Sequence, residues 1–177
     1  MAAALYTLVL LSYLLGSIPT GFLVAKAKGV DIRSVGSGNI GATNVFRILG
    51  KGPGIFVLTA DALKGALAVA VVAPFAVGLA GSSMSILQHF PALAGICAIL
   101  GHNYTCWLNF KGGKGIATTA GVFAALAPAA FGIALATWLV VFAVSRYVSL
   151  ASIVAAVALP LAVWLTGNGA LLIGVST

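Results

Sequence analysis

The chain has 177 residues, of which 62% are hydrophobic and 6% charged, with a mean hydropathy of +1.18 and a formal net charge of +7. That composition excludes a soluble globular domain and describes a single integral membrane domain over residues 1–177. The only acids are Asp31 and Asp61, which excludes a carboxylate-rich metal site and argues against a paired-carboxylate hydrolase.

In chain order, long apolar runs cover residues 3–25, 55–81, 86–106, 116–145 and 147–166. Most reach the roughly 20 residues that a spanning helix needs. No Lys or Arg precedes the first run, so it reads as a retained helix and not a signal peptide. Gly16, Pro19 and Gly21 predict a kink in its second half, tolerated where neighbouring helices cover the freed backbone groups. Pro128 falls inside the fourth run and predicts two short helices forming a hairpin. A last run starts at Ala170 and reaches only Thr177, so the sequence reads as ending inside its final helix. The expected architecture is an all-α polytopic bundle of about six complete helices and a truncated seventh.

Basic residues mark the cytoplasmic side. Lys26, Lys28, Arg33, Arg47 and Lys51 fill the first connection, and Lys111 and Lys114 the third, while the second, Gly81 to His89, has none. The N-terminus is therefore expected outside, with both basic connections inside, and the hairpin at Pro128 returns Arg146 to the same side. This bias alone accounts for much of the positive charge, and no aromatic-interleaved basic surface suggests nucleic acid. Cys97 and Cys106 lack paired or metal-like spacing and read as reduced packing residues. The sequon Asn103-Tyr104-Thr105 falls near the cytoplasmic surface and is discounted.

The two basic connections carry the chemistry. Residues 36–47 read GSGNIGATNVFR, and residues 110–119 read FKGGKGIATT. Glycines admit a ligand close to backbone N–H groups, hydroxyls and amides add hydrogen bonds, and Arg and Lys add charge, a combination suited to phosphate. In the first, Ser37, Gly38, Asn39, Thr43 and Asn44 are compact polar candidates and Arg47 a forked donor. In the second, Lys111 and Lys114 bracket Gly112 and Gly113, and Gly115 leads toward an apolar helix whose positive end favours an anion. Turn-forming propensity explains part of the first pattern, and a membrane-edge turn part of the second.

Two apparent motifs fail on context. Gly36 to Gly41 matches the dinucleotide glycine pattern, yet no strand precedes it, and Gly112 to Gly115 lacks the Ser or Thr that a nucleotide loop places after its lysine. No NAD, ATP or other cofactor is expected. Asp61 and Lys64, three apart on one helix face, are intramembrane ions that read either as a structural pair or as site lining. His102 reads either as a ligand contact or as a hydrogen-bonded structural histidine, and His89 as an unrelated surface residue. No His lies four residues before an Asp, so a His–Asp base–acid signature of that spacing is absent and any chemistry must rely on positioning and anion stabilisation.

GSGNIGATNVFR, GHNYTCWLNFKGGKGIATT and RYVSLAS, with the early LLGSIPTGFLVAK and the ADALKG segment, closely resemble the bacterial acyl-phosphate:glycerol-3-phosphate acyltransferase family (PlsY). The resemblance runs over essentially the whole chain. It implies an inner-membrane enzyme that moves an acyl group from acyl phosphate to the sn-1 hydroxyl of glycerol 3-phosphate, giving lysophosphatidate and phosphate. It further implies functional roles for Ser37 and Arg47, with Asn39 and Asn44 nearby, and a glycerol-phosphate site at Lys111, Gly112, Gly113, Lys114 and Gly115. His102 matches a motif histidine, and Ser149 and Ser152 fall in a serine-containing segment. The expected partners are the two substrates and membrane lipids, with no obligate protein partner. Members of the family continue beyond this point to a third motif containing His and Asn, which the sequence does not include. A phosphate or organophosphate transporter is the alternative, disfavoured by the lack of an internal repeat and by the two glycine loops sharing one face.

Overall fold

The computed structural model describes residues 1–81 and 85–167, and every regular element among them is helical. The run from Ala170 therefore lies outside the described residues, as does part of the second connection. Helices α1 (Ala2–Ser17) and α2 (Thr20–Ala27) form one apolar span of 26 residues broken at Ile18 and Pro19. Proline lacks an N–H and pushes its predecessor out of helical geometry, and Ile18 accordingly has ψ 112°. The kink expected here is present.

The first basic connection contains a short amphipathic helix, α3 (Ala42–Leu49), inside the glycine-rich polar segment whose composition predicts loop. A left-handed Gly50, φ +87°, turns the chain directly into α4 (Lys51–Leu67). That helix begins before the apolar run because Gly52 and Pro53 occupy its first turn, where a missing N–H costs nothing. One π-helical turn, Ala68–Val72, joins α4 to α5 (Ala73–Ala80) and gives a span of 30 residues. Pro74 is the second residue of α5, and the wider turn before it relieves the clash between its ring and the preceding carbonyls. Next come a 3-10 turn, Ser85–His89, and α6 (Phe90–Asn103), then α7 (Ile116–Leu126), α8 (Pro128–Ser145) and α9 (Val148–Leu165). The break at Pro128 is where the sequence places it, with proline at the first position of α8. However, α8 has 18 residues and is long enough to cross a membrane, so it is not a short half-helix.

The chain packs as two units, Met1–Val122 and Phe123–Thr177. In the first, α1 and α6 run parallel: Ala4 and Leu8 share a core with Phe90, Ala94 and Ala98. Small residues let these backbones approach, since a Cβ on Gly16 would collide with the Ala98 carbonyl, and one on Gly101 with that of Tyr13. The α4–α7 contact is built the same way from Gly65 and Gly121. Large apolar side chains such as Leu10, Phe56, Leu63, Val71 and Phe75 point outward, as a lipid-facing surface requires. In the second unit α8 and α9 form an antiparallel hairpin over Ala127, Ala130, Ala162 and Val163. Arg146 turns it with a left-handed φ of 61°.

Candidate active site

The first glycine segment is folded around one amide. Asn44, 2% exposed, donates from Nδ2 to the carbonyls of Ile32 (3.2 Å), Val35 (3.1 Å) and Asn39 (3.0 Å), and its Oδ1 accepts the Ser37 N–H at 3.0 Å. Gly36 and Gly38 take left-handed φ values of +62° and +68°, which wrap the turn about that amide. Asn39 Oδ1 accepts the Gly41 N–H at 2.8 Å and closes the approach to α3. Asn44 was expected to contact phosphate; its amide is instead consumed by its own loop, and so is the Oδ1 of Asn39. Ser37 and Thr43 stay exposed, as does Arg47 in the last turn of α3, and no hydrogen bond or ion pair occupies their side chains among the described residues.

The neighbouring Arg33 is spent differently. Its Nε and Nη2 donate to the two carboxylate oxygens of Asp31 at 3.0 and 3.1 Å, and its guanidinium lies 4.7 Å over the Phe22 ring. That fork holds the Asp31 carboxyl below its ordinary value.

The second segment folds back on the end of α6. The Gly112 N–H donates to the Asn103 carbonyl (2.9 Å) and the Gly113 N–H to the His102 carbonyl (3.0 Å), satisfying terminal helix carbonyls. These two N–H groups are therefore engaged by the end of α6. The glycines are needed for proximity, because a Cβ on Gly112 would strike the His102 carbonyl and one on Gly113 the His102 ring at Nε2. Gly115, φ +77°, turns the chain into α7, and its carbonyl accepts the Thr119 N–H at 2.8 Å, so α7 starts at the turn as expected. Lys111 and Lys114 are exposed, with no side-chain partner among the described residues.

Both segments sit at one end of the first unit. Leu108, from the 3-10 turn before Lys111, is buried in the same cluster as Ile32, Ile40, Val45 and Val57 around the first loop. Thr105 donates its hydroxyl to the Ser17 carbonyl, and Tyr13 donates to the Tyr104 carbonyl at 2.6 Å. The helix break at Pro19 is thus tied to the second loop. The sequence marks Thr105 only as part of a discounted sequon and does not mark Leu108; the signal for both was an apolar residue and a hydroxyl between a helix end and a basic turn.

Beneath the loops lies a buried polar cluster. Lys64 Nζ is 2.9 Å from Asp61 Oδ1 and donates to the Ile18 carbonyl at 3.0 Å, so the pair expected from its spacing forms. His102 Nδ1 is 3.7 Å from Asp61 Oδ1, beyond hydrogen-bond reach. All three side chains are buried, under the loops and not in their exposed face. The Thr118 hydroxyl, in the first turn of α7, is buried without a partner. Ser149 and Ser152 lie on α9 in the second unit. Ser149 is exposed; Ser152 donates to the Val148 carbonyl (2.9 Å) and accepts from Trp138 Nε1 (3.1 Å), so its hydroxyl is already engaged. Among the described residues no cluster of His, Cys, Asp and Glu could hold a metal.

Residues 6–177 match the family described as glycerol-3-phosphate acyltransferase. The chain is 49% identical over 169 residues to a glycerol-3-phosphate acyltransferase of Geotalea daltonii, covering 96% of this chain and 82% of that one. It is 47% identical over 165 residues to one of Geobacter sulfurreducens, covering 93% and 80%. The fold matches the crystal structure of PlsY (YgiH), an integral membrane glycerol 3-phosphate acyltransferase, in its glycerol 3-phosphate form, with a TM-score of 0.79 at 43% identity. The lysophosphatidic acid form of the same protein gives a TM-score of 0.76 at 42% identity, and each match covers 97% of this chain and 87% of the other.

Proposed function

The chain belongs to the glycerol-3-phosphate acyltransferase family, a multi-pass membrane enzyme acylating glycerol 3-phosphate for phospholipid synthesis, and from that premise we propose how its two basic loops perform the transfer. The donor is an acyl phosphate. The sn-1 hydroxyl oxygen of glycerol 3-phosphate bonds to the acyl carbonyl carbon, the bond from that carbon to the phosphate oxygen breaks, and the departing phosphate takes the hydroxyl proton. Lysophosphatidate and inorganic phosphate are the products, and no protein nucleophile intervenes because the donor is already activated.

The observation that carries this reading is that three cations on two loops sharing one core have no side-chain partner among the described residues: Arg47 on the first, Lys111 and Lys114 on the second, joined through Leu108. Two phosphate-bearing substrates meeting in a site with so few acids need such uncompensated charge. Arg47, a planar fork, suits the phosphate that leaves, and Lys114 the phosphate that stays, with Lys111 assisting at the rim. Ser37, whose hydroxyl is free beside Gly38 and Asn39, orients a substrate oxygen and does not attack. Thr43, exposed in the first turn of α3, is a second free hydroxyl for the same task. The membrane is the bacterial inner membrane, with the N-terminus outside and both loops in the cytoplasm, and lipid surrounds the apolar flanks.

Single-turnover reaction with radiolabelled palmitoyl phosphate tests the scheme. Lysophosphatidate should form only when glycerol 3-phosphate is added, with no label retained on the protein. Stable labelling of Ser37 before the acceptor is added would overturn direct transfer. Liposomes that exchange labelled phosphate without making lysophosphatidate would favour the transporter alternative.

A further inference from the structure

The buried cluster under the loops has no part in the reaction as written, and within it Lys64 is committed while His102 Nδ1 has no hydrogen-bond partner among the described residues. Lys64 spends its charge on Asp61 and on the Ile18 carbonyl, which sits at the break between α1 and α2. Asp61 Oδ1 stands between Lys64 Nζ and His102 Nδ1. On the far side of the imidazole, Nε2 lies where a Cβ on Gly113 would be, and the His102 carbonyl accepts the Gly113 N–H at 3.0 Å. A chain of contacts thus runs from the helix break through Lys64, Asp61 and His102 to the glycine immediately before Lys114.

Stability alone does not account for this arrangement. Charges buried at membrane depth cost several kcal/mol, and aliphatic residues of similar volume would fill the space without that cost. What the ions supply is geometry: opposite charges on one face of α4 fix Lys64 against the Ile18 carbonyl at the helix break, which also accepts the Thr20 N–H at 3.0 Å, and the carboxylate presents a fixed charge to the imidazole.

We propose that Lys64, Asp61 and His102 are positioning residues that hold the Lys111–Gly115 turn in register and contact no substrate themselves. The imidazole backs Gly113 from below, so loss of the ion pair lets the ring and then the turn shift, moving Lys114 from the phosphate it holds. The effect on catalysis rests on the reading of this turn as the glycerol 3-phosphate site. The effect on the turn itself does not.

The test uses the full chain in detergent, comparing wild type with Lys64→Met, Asp61→Asn, His102→Gln and Lys64→Arg. Amide hydrogen exchange over the peptide containing Gly112 and Gly113 reads the turn directly. It should quicken at least tenfold in Lys64→Met and Asp61→Asn and more modestly in His102→Gln, while exchange over residues 36–47 stays as in wild type. Lys64→Arg, which can still reach both Asp61 and the Ile18 carbonyl, should restore slow exchange. In parallel, KM for glycerol 3-phosphate should rise about tenfold in Lys64→Met with KM for palmitoyl phosphate within twofold of wild type. If Lys64→Met does not fold, the neutral double variant Asp61→Asn/Lys64→Met, which strands no charge, provides the same readouts. Unchanged exchange in folded variants overturns the proposal. Faster exchange with an unchanged KM for glycerol 3-phosphate supports the positioning role and instead overturns the assignment of the turn to that substrate.

Discussion

Asn44 organises the turn that leads into α3, since one buried amide collects three carbonyls and an N–H from residues 32–39. Asn44→Asp keeps the shape but removes both Nδ2 protons and faces those carbonyls with a carboxylate. Leaving buried polar groups unsatisfied costs about 1–3 kcal/mol. The variant should therefore lower the thermal midpoint in detergent by several degrees and reduce turnover through Ser37 and Arg47, although neither was changed. Arg47→Lys keeps the charge but loses the fork, and kcat/KM should fall by about a hundredfold if that fork grips a phosphate in the transition state. At Asp31 the sign of the pH effect follows from the lowered carboxyl: the pair with Arg33 contributes above the unfolded-state value, near an ordinary aspartate pKa of about 3.9, and is lost as the pH falls through the lower folded-state value. Asp31→Asn should lower the thermal midpoint slightly at neutral pH, and the difference from wild type should vanish in strong acid. The pair is solvent-exposed, so the shift is small. Residue types were legible in the sequence as a phosphate-suited set, but the division of labour was not. Nothing in the spacing of Asn39, Thr43 and Asn44 tells which amide turns inward to serve the backbone and which hydroxyl stays free.

At the scale of elements, two prolines did what their chemistry requires, breaking the first span at Ile18 and the fourth run at Ala127. Both breaks were readable because a missing N–H acts locally. The stitching of the first break was not readable, since Thr105 and Lys64 reach it from 88 and 46 residues away. Thr105→Val leaves the buried Ser17 carbonyl without its hydroxyl donor, and the expected loss is about 1–3 kcal/mol, measured as a lower thermal midpoint with an otherwise intact helical spectrum. Helix α3 is not legible in the sequence because its eight residues lie inside a glycine-rich polar motif, and its amphipathic character emerges only once Val45 faces the core while Arg47 stays exposed. The second loop shows the opposite case. Its glycine density was visible, but its cause is contact with the end of α6, not only openness to a ligand.

At the scale of the whole molecule, the membrane class, the helical content and the family were legible because composition and two long motifs each act over many residues. That both basic loops sit at one end of the first unit followed from the charge bias and agrees with the parallel packing of α1 and α6 and with the burial of Leu108 among first-loop residues. The role of Ser149 and Ser152 was carried by resemblance alone, and the engaged hydroxyl of Ser152 suits helix packing against Trp138 better than substrate contact. The central claim is that Arg47 and Lys114 serve one reaction centre. Its most direct test is kcat/KM for lysophosphatidate formation from palmitoyl phosphate and glycerol 3-phosphate in Arg47→Met, Lys114→Met and the double variant. Each single change should lose about a hundredfold or more, and the double should lose far less than the product of the two, as groups acting as a unit do. Losses that simply multiply, or a single variant with undiminished activity, would contradict a shared site.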